Sequence, residues 1–131
     1  MPASEFPLRT LLLILLPLLA TCIGQRLYLH LVNPNSDLFI AGYNVHHLFV
    51  GALLAIPAAF VIAFVPEASA VRWIALVALG AGSAMVLDQI VFLITTDGSN
   101  ASYLKPISLC GAIVLEALAV VGLIVLCLVH A

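Results

Sequence analysis

The chain has 131 residues, 65% of them hydrophobic and 8% charged, with a formal net charge of −2 and a mean hydropathy of +1.29. Soluble domains carry about 25% charged residues, so no water-soluble fold hides this much apolar surface. There is no run of Lys or Arg, which argues against a nucleic-acid partner.

A spanning helix uses about 20 apolar residues, so the length suits an all-α integral membrane protein: a four-helix transmembrane bundle forming a single domain over 1–131. Span one is expected over residues 8–31, opening with the apolar run Leu11 to Ile23 and closing with the more polar Gln25-Arg26-Leu27-Tyr28-Leu29-His30. Asn33-Pro34-Asn35-Ser36-Asp37 supplies turn residues that end it. Span two is expected over 41–65 and ends at Pro66-Glu67-Ala68-Ser69. Pro17 and Pro57 fall inside spans one and two, where neighbouring helices can satisfy the freed carbonyls, and they predict kinks. Span three, over 72–95, contains Gly80-Ala81-Gly82-Ser83-Ala84, whose small side chains admit a close helix neighbour. Asp97-Gly98-Ser99-Asn100 turns the chain, and Lys105-Pro106 opens span four, expected over 106–130. Arg9, the apolar run and Leu19-Ala20-Thr21-Cys22 also resemble a signal peptide; the threonine before Cys22 fits poorly, and the apolar segment runs on far enough to span.

Cys22, Cys110 and Cys127 lie in apolar stretches without a Cys-x-x-Cys pair and read as buried thiols. Tyr28, Tyr43, Trp73 and Tyr103 sit near span ends and suit aromatic belts. His130 reads as a solvated tail residue, and the Asn100-Ala101-Ser102 sequon as a chance match close to the membrane.

In a four-span protein the loops after spans one and three share a side of the bilayer, and the ionisable residues lie toward those loops. At about 1.5 Å per helical residue, His30 lies within ~3 Å of its span end, Arg26, His46 and His47 roughly 7 to 9 Å deep, Asp88 about 10 Å and Glu116 about 15 Å. Cys22, Arg26 and His30 form an i, i+4, i+8 stripe; His47 shares a face with Tyr43, Gly51 and Ala55; Asp88 shares one with Ala81, Ala84 and Met85; Glu116 shares one with Ala112, Ile113 and Ala119. Small neighbours assign His47, Asp88 and Glu116 to the interior, while His46 points about 100° away, beside Phe49, Val50 and Leu53.

A charge at the bilayer centre costs at least ~2.5 to 3.5 kcal/mol, so such residues have partners or a task. His47, Asp88 and Glu116, with His46 or His30, offer imidazole and carboxylate ligands for a divalent metal such as Zn, Fe or Mn. An open metal position could activate water to hydrolyse a lipid-like ester or amide. Arg26, Tyr43 and Gln89 would then stand behind the ligands or pair with them. A proton or ion relay through Glu116, Asp88 and the histidines, or a small-solute transport component, is the second reading. A b-type haem between His30 and His47 is the third, and leaves the carboxylates without a role. The fourth is purely structural, an intramembrane Arg26–Asp88 ion pair with His30 and His46 at headgroup level.

Val45-His46-His47-Leu48, followed by the glycine-rich third span ending in Leu87-Asp88-Gln89, resembles a group of small uncharacterised bacterial and archaeal membrane proteins. These pair His-His near the start of one span with Leu-Asp-Glu near the end of the next. The resemblance covers residues 42–112. The chain departs from it at Gln89, usually glutamate in the group, and near Cys110, where the group has an acidic residue for which Glu116 would substitute. The resemblance implies that His46, His47 and Asp88 form one constellation, and it lends no activity. Expected partners are membrane lipids and a second copy of the chain. A bacterial inner membrane is the expected location, and Arg9 and Arg72 against Lys105 and the embedded Arg26 favour cytoplasmic termini.

Overall fold

The computed structural model describes residues 5–32 and 39–130, with side chains described for residues 7–32, 41–42 and 45–130. Helices α1 (Glu5–Leu31), α2 (His47–Phe64), α3 (Ala70–Thr95), α4 (Asn100–Tyr103) and α5 (Pro106–Val129) make up most of the chain. A small antiparallel hairpin of β1 (Phe39–Ile40) and β2 (Tyr43–Asn44) lies between α1 and α2. All the helices except α4 are long and apolar enough to cross a membrane. The chain is therefore an all-α integral membrane protein with four spanning helices.

Span two starts at His47, not at the Ala41 expected from the sequence. Residues 39–44 form the hairpin instead, and its turn residues Ala41 and Gly42 have φ of 50° and 84°. Two-residue hairpin turns favour positive φ at both central positions, which glycine adopts without steric cost. Alanine, the best helix former, concealed the turn. Helices α1 and α2 run unbroken through Pro17 and Pro57.

Helix α3 is the hub: α1, α2 and α5 all pack on it, and α2 packs chiefly there. Small residues make this possible. A Cβ added to Gly51 would lie 2.6 Å from the Gly82 carbonyl oxygen and 2.6 Å from Met85 Cβ, and one added to Gly80 would strike the backbone of Ile14. The glycine-rich stretch thus serves two neighbours at once, α2 through Gly82 and α1 through Gly80. Lipid tails are as apolar as leucine, so helices associate in a membrane through such close packing and through polar contacts. The termini-side end of α2 is closed by Arg72, whose Nη1 donates to the carbonyls of Ile62 and Val65, satisfying acceptors that a helix end leaves open.

Helix lengths then set the depth of everything else. The 18 residues of α2 rise about 27 Å, just short of a hydrocarbon core about 30 Å thick. The 26 residues of α3 rise about 39 Å and overshoot it. His47, the first residue of α2, therefore marks the loop-side limit of the hydrocarbon and does not lie below it, as the earlier start of span two had implied.

Gly51→Ala should destabilise the fold by about 1–3 kcal/mol through overpacking. Gly24→Ala, whose Cβ would meet nothing within 4 Å, should stay within about 0.5 kcal/mol of the parent. Equilibrium unfolding in mixed detergent measures both.

Candidate functional site

The site is centred on Asp88, which is fully buried in α3. Each turn of the surrounding structure sends it one donor. From α1, Arg26 Nε donates to Oδ1 at 2.7 Å. From α4, the Tyr103 hydroxyl donates to Oδ2. From α2, His47 Nε2 lies 3.3 Å from Oδ2. The carboxylate is thus held by donors from three separate helices, which is what a buried charge requires.

Arg26 is held as tightly as the acid it neutralises. Its Nη1 reaches the Tyr103 carbonyl at 3.4 Å, and its Nη2 reaches the Ser108 carbonyl at 3.4 Å and Ser108 Oγ at 3.3 Å. The guanidinium also lies over the Tyr103 ring, 4.3 Å from its centroid, a favourable cation–π arrangement. Tyr103 meets His47 edge-on at 5.6 Å between centroids and Phe92 edge-on at 5.2 Å. Burial, and then the Asp88 charge, push the Tyr103 phenol above its ordinary range, so it stays a donor.

Gln89, the next residue along α3, ties α2 to this centre. Its Oε1 accepts from the Leu48 backbone N–H at 2.8 Å, and its Nε2 lies 3.1 Å from His47 Nδ1. His46 stands just before α2 and packs its ring against Phe92, 6.2 Å between centroids. It faces the site's aromatic wall and not the Phe49, Val50 and Leu53 side expected for it.

The residues expected to form one cluster share hydrogen bonds only in part. Arg26, His47, Asp88 and Gln89 come together. Glu116 lies deeper on α5, beside the Cys22 thiol of α1 and within electrostatic reach of Asp88 and Arg26. Glu116 is 6% exposed, and its Oε1 meets no hydrogen-bond partner among the described residues. His30 is exposed near the end of α1. The Tyr43 side chain lies outside the described residues. Among the described residues no three of His, Cys, Asp and Glu gather closely enough to hold a metal ion.

Tyr103 and Ser108 are the site residues that sequence reasoning missed. Tyr103, assigned to an aromatic belt, is 4% exposed, and Ser108 is fully buried. The signal for both was the short connection between α3 and α5, which keeps Tyr103 within it and Ser108 in the first turn of α5 beside the last turns of α3.

These features define a class, an integral membrane protein of four spanning helices with a polar centre at one end of the bundle. Comparison with protein-family models, with curated proteins and with solved structures found no match.

Removing one partner of a buried ion pair strands the other charge, at a typical cost of 3–5 kcal/mol. Arg26→Gln should therefore destabilise the protein by about that amount, and Arg26→Gln/Asp88→Asn by clearly less than the sum of the single changes. A double-mutant cycle on unfolding free energies measures the coupling.

Proposed function

We propose that this protein is a membrane-embedded proton-relay component in which Glu116 carries the proton and the Asp88 centre is the fixed polar scaffold that holds the helices around it. The observation that carries this reading is the state of Glu116: a nearly buried carboxyl with one oxygen that has no hydrogen-bond partner among the described residues. A nearly buried carboxyl is expensive when ionised and inexpensive when protonated, so it exchanges a proton when water reaches it. Asp88 is the opposite case. Its oxygens already accept from Arg26, Tyr103 and His47, an arrangement that fixes one charge state and suits a scaffold.

Polar groups continue from Glu116 toward the loop side. Cys22 touches Glu116, Arg26 lies one helical turn beyond Cys22, and His47, 28% exposed at its side chain, ends the series. Gln25, on the same turn of α1, buries both amide atoms without a hydrogen-bond partner among the described residues. Each such atom favours a bridging water. The exchange is simple in its balance: the Glu116 carboxylate takes one proton from water on one side and returns it on the other, with no bond to carbon changed. With cytoplasmic termini in a bacterial inner membrane, the His47 end faces outward.

A divalent-metal centre at His47, Asp88, Glu116, His46 and His30 is the weaker reading, because both Asp88 oxygens already have partners and no group of three such ligands gathers among the described residues. A haem held by His30 and His47 is weaker again, since only His47 enters the network.

In proteoliposomes under a pH gradient, the parent should pass protons and Glu116→Gln should not, with an internal pH dye as the readout. Dicyclohexylcarbodiimide, which reacts with protonated carboxyls in apolar surroundings, should add to Glu116 and leave Asp88 untouched, as read by peptide mass spectrometry. Equal flux through parent and Glu116→Gln would overturn the proposal.

A further inference from the structure

We infer that Gln89 is a positioning residue that fixes which nitrogen of His47 carries its hydrogen and, by the same amide, seats the start of α2 on α3. The inference begins with the one group in the cluster whose role allows no choice. The Leu48 backbone N–H can only donate, and it meets a Gln89 amide atom at 2.8 Å. That atom must be the carbonyl oxygen, so the NH₂ end of the amide is turned the other way. The NH₂ end then faces His47 Nδ1 at 3.1 Å. An amide NH₂ donates, so Nδ1 must accept and carries no hydrogen.

The other side of the ring agrees. Nε2 faces the Asp88 carboxylate oxygen at 3.3 Å, and an ionised carboxylate only accepts, so Nε2 carries the hydrogen. Two independent contacts on opposite edges of the imidazole specify the same tautomer. The chain of donors runs one way, from Leu48 N–H to Gln89 Oε1, from Gln89 NH₂ to His47 Nδ1, and from His47 Nε2–H to Asp88. Reversing any link turns two donors or two acceptors against each other.

Position adds a second consequence. Leu48 lies in the first turn of α2, where backbone N–H groups have no partner within the helix. His46, at the capping position, makes no side-chain cap, and Gln89 supplies the missing acceptor from a different helix. The cap that starts α2 and the hydrogen-bond direction at His47 are therefore a single interaction. His47 also keeps no free lone pair, so an external ligand could take Nδ1 only by displacing the Gln89 amide and uncapping α2.

The inference stands apart from the relay reading, since neither readout below involves proton flux. Full-length protein carrying ¹⁵N-histidine in lipid nanodiscs, with His47 assigned by the loss of its signals in His47→Gln, should show an unprotonated Nδ1 and a protonated Nε2 at neutral pH. Gln89→Glu keeps an acceptor for Leu48 but offers Nδ1 no donor. It should leave hydrogen exchange at the Leu48 amide slow and put a proton on Nδ1. Gln89→Leu should speed that exchange about tenfold, the usual effect of a lost helix cap, and release the tautomer to a mixture. A parent spectrum with hydrogen on Nδ1 would overturn the inference, as would Gln89→Glu spectra identical to the parent's. If Gln89→Leu fails to fold, the parent and Gln89→Glu spectra decide the matter alone.

Discussion

A carboxylate with no access to water must find its neutralising charge and its hydrogen bonds within the protein, and at Asp88 this requirement draws four parts of the chain to one point. The cost of an unpaired charge in such surroundings is several kcal/mol. Arg26 brings α1, His47 brings α2, and Tyr103 brings the connection between α3 and α5. Arg26 in turn reaches Ser108 at the start of α5. No packing preference among leucines and valines could specify this arrangement, because those side chains are as content against lipid as against each other. Polar contacts set which helices meet and at what level, and glycines set how near they come.

Depth gives the two acidic residues their different characters. The short α2 puts the Asp88 cluster at the margin of the hydrocarbon, where headgroups and water are close. Glu116 lies about one turn further in than Asp88, on the face of α5 that carries Ala112. One acid is saturated with donors and the other is short of them. An acid whose two oxygens both hold donors is a structural element, whereas one with an oxygen that has no partner among the described residues can change its state.

Much of this was legible in the sequence, and the failures are instructive. Composition and span length established the four crossing helices. Helical spacing singled out His47 and Asp88, and the small residues around Gly82 announced a close approach. An Arg26–Asp88 pair follows from two opposite charges embedded toward the same side. The start of α2 was hidden because Ala41, a strong helix former, stands in the turn beside Gly42. Counting along the helices placed Glu116 deeper than Asp88, but spacing does not show which carboxylate receives the donors. Tyr103 was hidden by a habit of tyrosine, which commonly rests at membrane surfaces and here has its hydroxyl turned inward to a carboxylate. The role of Gln89 depends on the direction of two hydrogen bonds, which spacing alone does not reveal.

The pairing of Arg26 with Asp88 has a consequence for biosynthesis. The partners stand 62 residues apart, and at roughly 5–20 residues per second a ribosome needs about 3–12 s to make that stretch. During the interval the first span has already emerged with its arginine, and the acid that will neutralise it does not yet exist. The nascent helix must keep the guanidinium at the surface, where its long aliphatic stem lets the charge remain wet. Only the arrival of the third span lets it turn inward. The order of synthesis thus makes the mature ion pair a late event.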